Sequence, residues 1–291
     1  MQIEYVRSRS RKVARALLAR GDKYEVTRRI KCRAVSRLMY RRGDRCTIEF
    51  DTKLGAYVHR FADAVYIRDL PGIAQPSLFQ DRIERHALRA ATLAEGGVVV
   101  ELGAGTGTET VLMARMVGSS GRILAVEAHP RTAELLGRCV ELNNLANVDV
   151  QCLAVSNAPG TLTITSEAAD VSNSIRGSDG GLTVMATTLD QLTSDLDTID
   201  LLKINIEGAE RGALEAGTST LTKVRQVVVS CHDFKADRTG DDWFRTRRWV
   251  EETLEQAGFA LEPPIASSPP WLRDTVYGSR SSRRAMDCVP A

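Results

Sequence analysis

The chain has 291 residues, 43% hydrophobic and 26% charged, with a formal net charge of +2. This is a globular composition, with room for one large α/β domain and a small extra module, and it excludes a collagen-like or disordered chain. No run of eighteen apolar residues occurs and the N-terminus lacks the residue order of a secretory leader, so a cytoplasmic protein without a membrane span is expected.

The small net charge conceals an asymmetry. Residues 1–45 hold fifteen Lys and Arg against four acids, net +11, leaving 24 basic and 33 acidic residues in the rest, net −9. Ser8 to Arg20 fits a helix with Val13, Ala16, Leu17 and Leu18 on one side and Gly21 as its stop. Such an arm suits phosphate, a membrane surface or an acidic partner; the competing reading packs its apolar stripe on the acidic body of its own subunit or of a second one, the latter making a homodimer. An RNA-directed function is the alternative reading, disfavoured because no aromatic residue interleaves the arginines of residues 8–20 for stacking.

Cys46–Phe50, Ala56–Val58 and Ala64–Ile67 read as three short strands of a small sheet that ends at Pro71-Gly72. From Gln80 to Leu93, Ile83, Ala87, Leu88 and Ala91 recur at helical spacing. His59 and His86 stand isolated here and are read as surface or satisfied core residues. Residues 1–78 are thus expected to form a substrate-side or oligomerisation module, and residues 79–291 the main domain. Cys32, Cys46, Cys139, Cys152, Cys231 and Cys288 show neither a C-x-x-C pair nor metal spacing, so free thiols are expected.

Val98–Leu102 is an apolar run that includes Glu101 and breaks into Gly103, Gly105 and Gly107, which predicts a buried strand, a tight turn and then a helix from about Glu109 to Met116. Glycines there let a ligand lie against backbone, with the helix N–H groups aimed at it. The next strand, Gly121–Glu127, ends in a carboxylate placed to accept hydrogen bonds from a ribose diol. The unit therefore reads as nucleoside-binding. Its G-x-G-x-G spacing departs from the dinucleotide G-x-G-x-x-G, which argues against an NAD-dependent oxidoreductase.

Pro130 opens a helix faced by Ala133, Leu135, Leu136 and Val140 and ended by Asn143-Asn144. Val148 to Val155 is expected to be the third strand, with Ala154 and Val155 at its carboxyl end near the nucleoside base. Thr161–Thr165 and Leu182–Thr187 alternate with period two, a hairpin whose tip lies at about 171–177. Ile199 onward is a strand carrying Lys203, Asn205 and Glu207 on one side if it persists that far. Gln226–Ser230 ends in Cys231-His232-Asp233. Trp243, Trp249, Val250, Leu254 and Ala257 line a helix, and Phe259–Leu261 with Thr275–Tyr277 suit antiparallel closing strands. Trp271 is read as packing on a neighbouring helix.

Four of these stretches together resemble the FkbM family of S-adenosylmethionine-dependent methyltransferases: Val99–Gly107, Ala125–Pro130, Thr188–Leu192 and Leu202–Glu210. The likeness covers about residues 97 to 260, and the last motif, usually K-I-D-V-E-G-A-E, is the distinctive one. It implies a Rossmann-like class I fold, a seven-stranded, mostly parallel sheet with helices on both faces. It also implies S-adenosylmethionine as cofactor and S-adenosylhomocysteine as product, with Glu101 at the amino acid part, Gly103, Ala104, Gly105, Gly107 and Thr108 along the backbone, and Glu127 with Ala128 at the ribose. The implied reaction is in-line methyl transfer to a hydroxyl of a sugar, polyketide or other specialised metabolite. His232, with an ordinary pKa of about 6.5, is the expected general base, oriented by Asp233 or Glu207; Glu207 is the alternative base, with Lys203 fixing its carboxylate. A structural role is the competing reading, with Lys203 and Glu207 an ion pair and His232 a helix cap. Asn205 stands where the family has aspartate and Cys231 where glutamate often precedes the histidine, which disfavours a divalent metal; none is assigned.

Overall fold

A computed structural model of the chain describes residues 25–41, 43, 45–68, 88–165, 181–264 and 270–280. The expected helix at 8–20, the hairpin tip, His86 and Cys288 lie outside them. Helix α1 (Glu25–Arg41) precedes β1 (Thr47–Asp51), β2 (Ala56–Arg60) and β3 (Val65–Arg68). Strand β4 (Val98–Leu102) runs into α2 (Thr108–Val117), and β5 (Arg122–Val126) into α3 (Pro130–Leu142). Strand β6 (Val148–Gln151) is followed by β7 (Ala154–Val155), β8 (Gly160–Ile164), β9 (Leu182–Thr187) and the short helix α4 (Leu189–Leu192). Then come β10 (Ile199–Ile204), α5 (Glu210–Glu215), α6 (Thr218–Lys223) and β11 (Val224–Ser230). Helix α7 (Asp233–Thr239), a 3-10 turn at Asp242–Phe244 and α8 (Arg247–Gln256) lead to β12 (Ala260–Leu261), α9 (Pro270–Arg273) and β13 (Thr275–Ser279).

Seven strands form one sheet in the order β12-β13-β11-β10-β4-β5-β6. Strands β6, β5, β4, β10 and β11 are parallel, whereas β13 is antiparallel to both β11 and β12. This is the expected Rossmann-like class I architecture. The β-branched runs suit a sheet covered on both faces. Val100, Leu202 and Val227 pack towards Val250 and Leu254 of α8, while Val99, Leu201 and Val228 share a cluster with Met113 and Ala114 of α2 and Leu136 of α3. The chain winds from β4 to one side and from β10 to the other, so the crevice between their carboxyl ends is the switch point at which such sheets bind ligands.

The three N-terminal strands form the expected small sheet, and they pair antiparallel. Tyr66 and Ile67 of β3 cluster with Val111 of α2 and with Leu135 and Cys139 of α3, so the small sheet leans on the helices flanking the glycine loop. Its His59 is fully buried.

Three expectations need correction, and one helix was not expected. The apolar run 148–155 is not one strand: β6 ends at Gln151, and β7 pairs parallel with β9 in a separate three-stranded sheet. Of the helix expected over 80–93, residues 80–87 lie outside the described residues and 88–93 are turn and irregular backbone. Trp243 lies in the 3-10 turn before α8, not on it. Helix α1, which the sequence reading did not anticipate, carries Cys32 and Val35 inward against Ile48 and Tyr57. The hairpin of β8 and β9 forms as expected.

Candidate active site

At the end of β4 the backbone turns through Gly103 (φ +79°), Gly105 (φ +58°) and Gly107 (φ +87°), a left-handed region that costs glycine nothing. Two of these glycines make room for protein rather than for a ligand. A Cβ on Gly103 would lie 2.0 Å from the Asn205 carbonyl oxygen, and one on Gly107 would lie 2.8 Å from Leu136 Cδ1. The Gly105 N–H donates to Glu127 Oε2 at 3.0 Å, and Glu127 Oε1 accepts from the His129 N–H at 2.9 Å. Burial pushes the Glu127 carboxyl up, and the N–H donors partly offset it. Each carboxylate oxygen keeps a further lone pair, so a diol is the partner this strand tip still accommodates.

Helix α2 begins at Thr108, and its N-cap, Gly107, supplies no side-chain acceptor for the first-turn N–H groups. Those groups suit an anionic or polar ligand end. Ala104 is buried beside the turn. Ala128 packs on the side sheet with Ala154, whereas Val155 belongs to the main core. Ala154 and Val155 thus end no strand of the main sheet, contrary to their expected place at the carboxyl end of its third strand.

Glu101 lies under the glycine turn rather than on its surface. It is fully buried, its Oε1 accepting from Lys203 Nζ at 3.0 Å and its Oε2 from the Thr110 hydroxyl at 2.6 Å. Lys203 also meets Glu109 Oε2 at 2.5 Å. Burial alone would lower the Lys203 pKa, but the two carboxylates hold it above the ordinary lysine range. Lys203 is therefore not the partner of Glu207.

Glu207 lies beyond the end of β10, with φ +58°, so the expected side-sharing by alternation fails. It faces instead the histidine after β11. His232 Nδ1 is 2.8 Å from Glu210 Oε1 and its Nε2 3.3 Å from Glu207 Oε2. Lys235 donates to the same Glu207 oxygen. Glu210 is fully buried; its Oε1 also accepts the Gly208 N–H at 2.9 Å, and its Oε2 the Thr246 hydroxyl at 3.1 Å. Burial alone would push the imidazole pKa down; the hydrogen bonds and charges of Glu207 and Glu210 outweigh it and raise it to about 9. Desolvation likewise opposes ionisation of Glu207, but His232 and Lys235 keep its pKa below the ordinary value.

Asp233 does not orient His232. Its Oδ2 accepts the N–H groups of Thr246 and Arg247 and so caps α8. His232 opens α7 without a side-chain cap bond, and Asn205 is held by its N–H to the Leu102 carbonyl at 2.9 Å. Glu109, Glu210, Lys235 and Thr246 were not singled out from the sequence. For Glu210 a signal existed: it follows Glu207 by three residues across a glycine, a spacing that brings two carboxylates to one turn.

The Methyltransferase FkbM domain profile matches residues 101–261, more than half of the chain. The chain belongs to the FkbM methyltransferase family. The glycine turn at the β4–β10 crevice, with Glu127 beyond the neighbouring β5, fits S-adenosylmethionine, the cofactor that the family resemblance implies. A probable cobalt-precorrin-6B C(15)-methyltransferase (decarboxylating) of Sulfolobus acidocaldarius is 35% identical over 71 residues, 24% of this chain. The match spans 37% of that relative's length. Among solved structures, this FkbM chain is similar to an S-adenosylmethionine-dependent methyltransferase from Aquifex aeolicus, at 17% identity and TM-score 0.39 over 71% of this chain and 98% of that one. It is also similar to Aeropyrum pernix fibrillarin in complex with S-adenosyl-L-methionine, at 14% identity and TM-score 0.43 over 77% and 94%. These likenesses are remote and bear on neither substrate nor mechanism. Among the described residues no helix is long and apolar enough to cross a membrane.

Proposed function

We propose that this methyltransferase acts on a hydroxyl group of a small molecule, of the sugar, polyketide or specialised-metabolite kind, with Glu207 as the proton acceptor. The observation that carries the reading is the chain Glu210–His232–Glu207–Lys235 beyond the carboxyl ends of β10 and β11. S-adenosylmethionine, when bound, supplies a methyl group on a positively charged sulfur. The cofactor would give up that methyl group to the hydroxyl oxygen and leave as the neutral thioether, and Glu207, the partly exposed end of the chain, would take the hydroxyl proton.

This reading prefers Glu207 to His232 as the base. With carboxylates at both ring nitrogens and a pKa of about 9, His232 is protonated at neutral pH and has no lone pair to offer. It and Lys235 keep Glu207 ionised before transfer, and Glu210 with Thr246 holds the ring. Positioning then supplies much of the rate, because in-line displacement needs the acceptor oxygen about 3 Å from the methyl carbon. The small N-terminal sheet is proposed to wall the acceptor side, since it packs on α2 and α3 beside the glycine turn.

The test is a mass-shift screen of hydroxylated and amine-bearing metabolites with purified protein and S-adenosylmethionine. A gain of one methylene on hydroxylated compounds alone is expected, with Glu207→Gln losing turnover while cofactor affinity stays unchanged. Methylation confined to amines or carbon, or full turnover in Glu207→Gln, overturns the proposal.

A further inference from the structure

Helix α1 packs one side, Cys32 and Val35, on the small sheet, and the Ser36 hydroxyl accepts the Ile48 N–H at 3.0 Å. Among the described residues, its opposite side presents exposed apolar side chains. Val26 is 69% exposed, Ile30 60%, Tyr40 61% and Leu38 40%. Projected at 100° per residue, Tyr40, Val26, Ile30, Ala34 and Leu38 fall on one arc, and Arg33 and Arg37 fall between them, both exposed. Among the described residues neither arginine has an ion-pair partner. The helix has one acid, Glu25, which pairs with Arg29 at 2.6 Å.

We infer that this face docks on an anionic lipid surface. A helix of low mean hydropathy with aliphatic and basic residues mixed on its outer arc lies in the plane of a bilayer interface. Its apolar side chains enter the acyl boundary while its cations meet the headgroups. The chemistry separates this occupant from two others. A two-fold contact between copies through this face would set Arg33 and Arg37 against their own equivalents with no acid on the arc to answer them. A nucleic acid would pair with the arginines but leave Val26, Ile30 and Leu38 without a partner, since only Tyr40 offers a stacking face. The surrounding charge agrees, residues 1–45 being net +11.

The test is co-sedimentation of the full-length protein with phosphatidylcholine vesicles, with and without phosphatidylserine. Binding is expected only to the phosphatidylserine vesicles and is expected to weaken with added salt. Val26→Glu with Ile30→Glu, and separately Arg33→Glu with Arg37→Glu, should each reduce it by about tenfold or more while melting temperature and S-adenosylhomocysteine binding stay as in the wild type. The inference is overturned by absence of vesicle binding, by equal binding to both vesicles, or by binding that survives both double variants. It is equally overturned by a wild-type dimer in sedimentation equilibrium that the variants dissociate, or by RNA affinity lost only with the arginines.

Discussion

Lys203 and Glu101 face each other across the paired strands β10 and β4, Nζ to Oε1 at 3.0 Å, each side chain about 1% exposed. A salt bridge this deep is bound to its context: removing one partner leaves a buried charge without compensation. Lys203→Met is therefore expected to destabilise the protein by about 3–5 kcal/mol, with Glu101 and Glu109 left facing each other. Adding Glu101→Gln should recover part of that loss. Chemical denaturation of the two variants measures the difference; equal stability of wild type and Lys203→Met would contradict the assignment.

Two glycine substitutions should move stability in opposite directions. Gly103→Ala places a Cβ 2.0 Å from the Asn205 carbonyl at φ +79° and is expected to cost at least about 3 kcal/mol. Gly137→Ala, inside α3 with nothing within 4 Å of its Cβ, should stabilise by about 0.5–1 kcal/mol. Thermal unfolding of both reads this directly.

The His232 pKa, raised to about 9 from its ordinary 6.5, links stability to pH. Below 6.5 the imidazole is protonated in folded and unfolded chains alike, and the full contribution is present. As pH rises the unfolded chain loses its proton first, so stability falls until about pH 9, where the folded histidine also titrates. The melting temperature of wild type should drop across this window more steeply than that of His232→Gln. Parallel curves would sink the charged-histidine assignment.

Much of the fold was legible in the sequence. Val98–Leu102 and Ile199–Ile204 are mostly apolar runs of strand length, glycines bracket α2, and Pro130 opens α3. Local pattern failed where tertiary pairing decided the outcome. The stretch 148–155 hides a change of sheet at Cys152-Leu153, because β6 is half-buried in the main sheet and β7 buried in the side sheet. Helix α1 was missed because its apolar residues lie on two sides, one packed and one exposed, and give no single stripe. In the site, the glycines, Glu127, Glu207 and His232 were readable as chemistry-bearing residues. The pairing of Glu207 with His232 was one of two readings, but Glu210, Lys235 and Thr246 as further partners were not readable, since the strand ends at Ile204 and Glu207 adopts a left-handed φ, which turns it from Lys203 to His232 and Lys235.

Cofactor affinity should fall as Glu127 gains a proton, which removes an acceptor from the diol site. Burial raises this carboxyl, so S-adenosylhomocysteine binding is expected to weaken at a pH above the ordinary glutamate range as the solution is acidified. Glu127→Gln should bind more weakly at neutral pH and show no such dependence.

Calorimetric titration of the wild-type protein and of Glu127→Ala with S-adenosylhomocysteine, with NAD as control ligand, tests the account at its centre. Micromolar binding to wild type, a loss of about 1–3 kcal/mol in Glu127→Ala and no binding of NAD are predicted. Binding of NAD alone, or S-adenosylhomocysteine affinity indifferent to Glu127, would contradict the placement of the cofactor in the β4–β10 crevice.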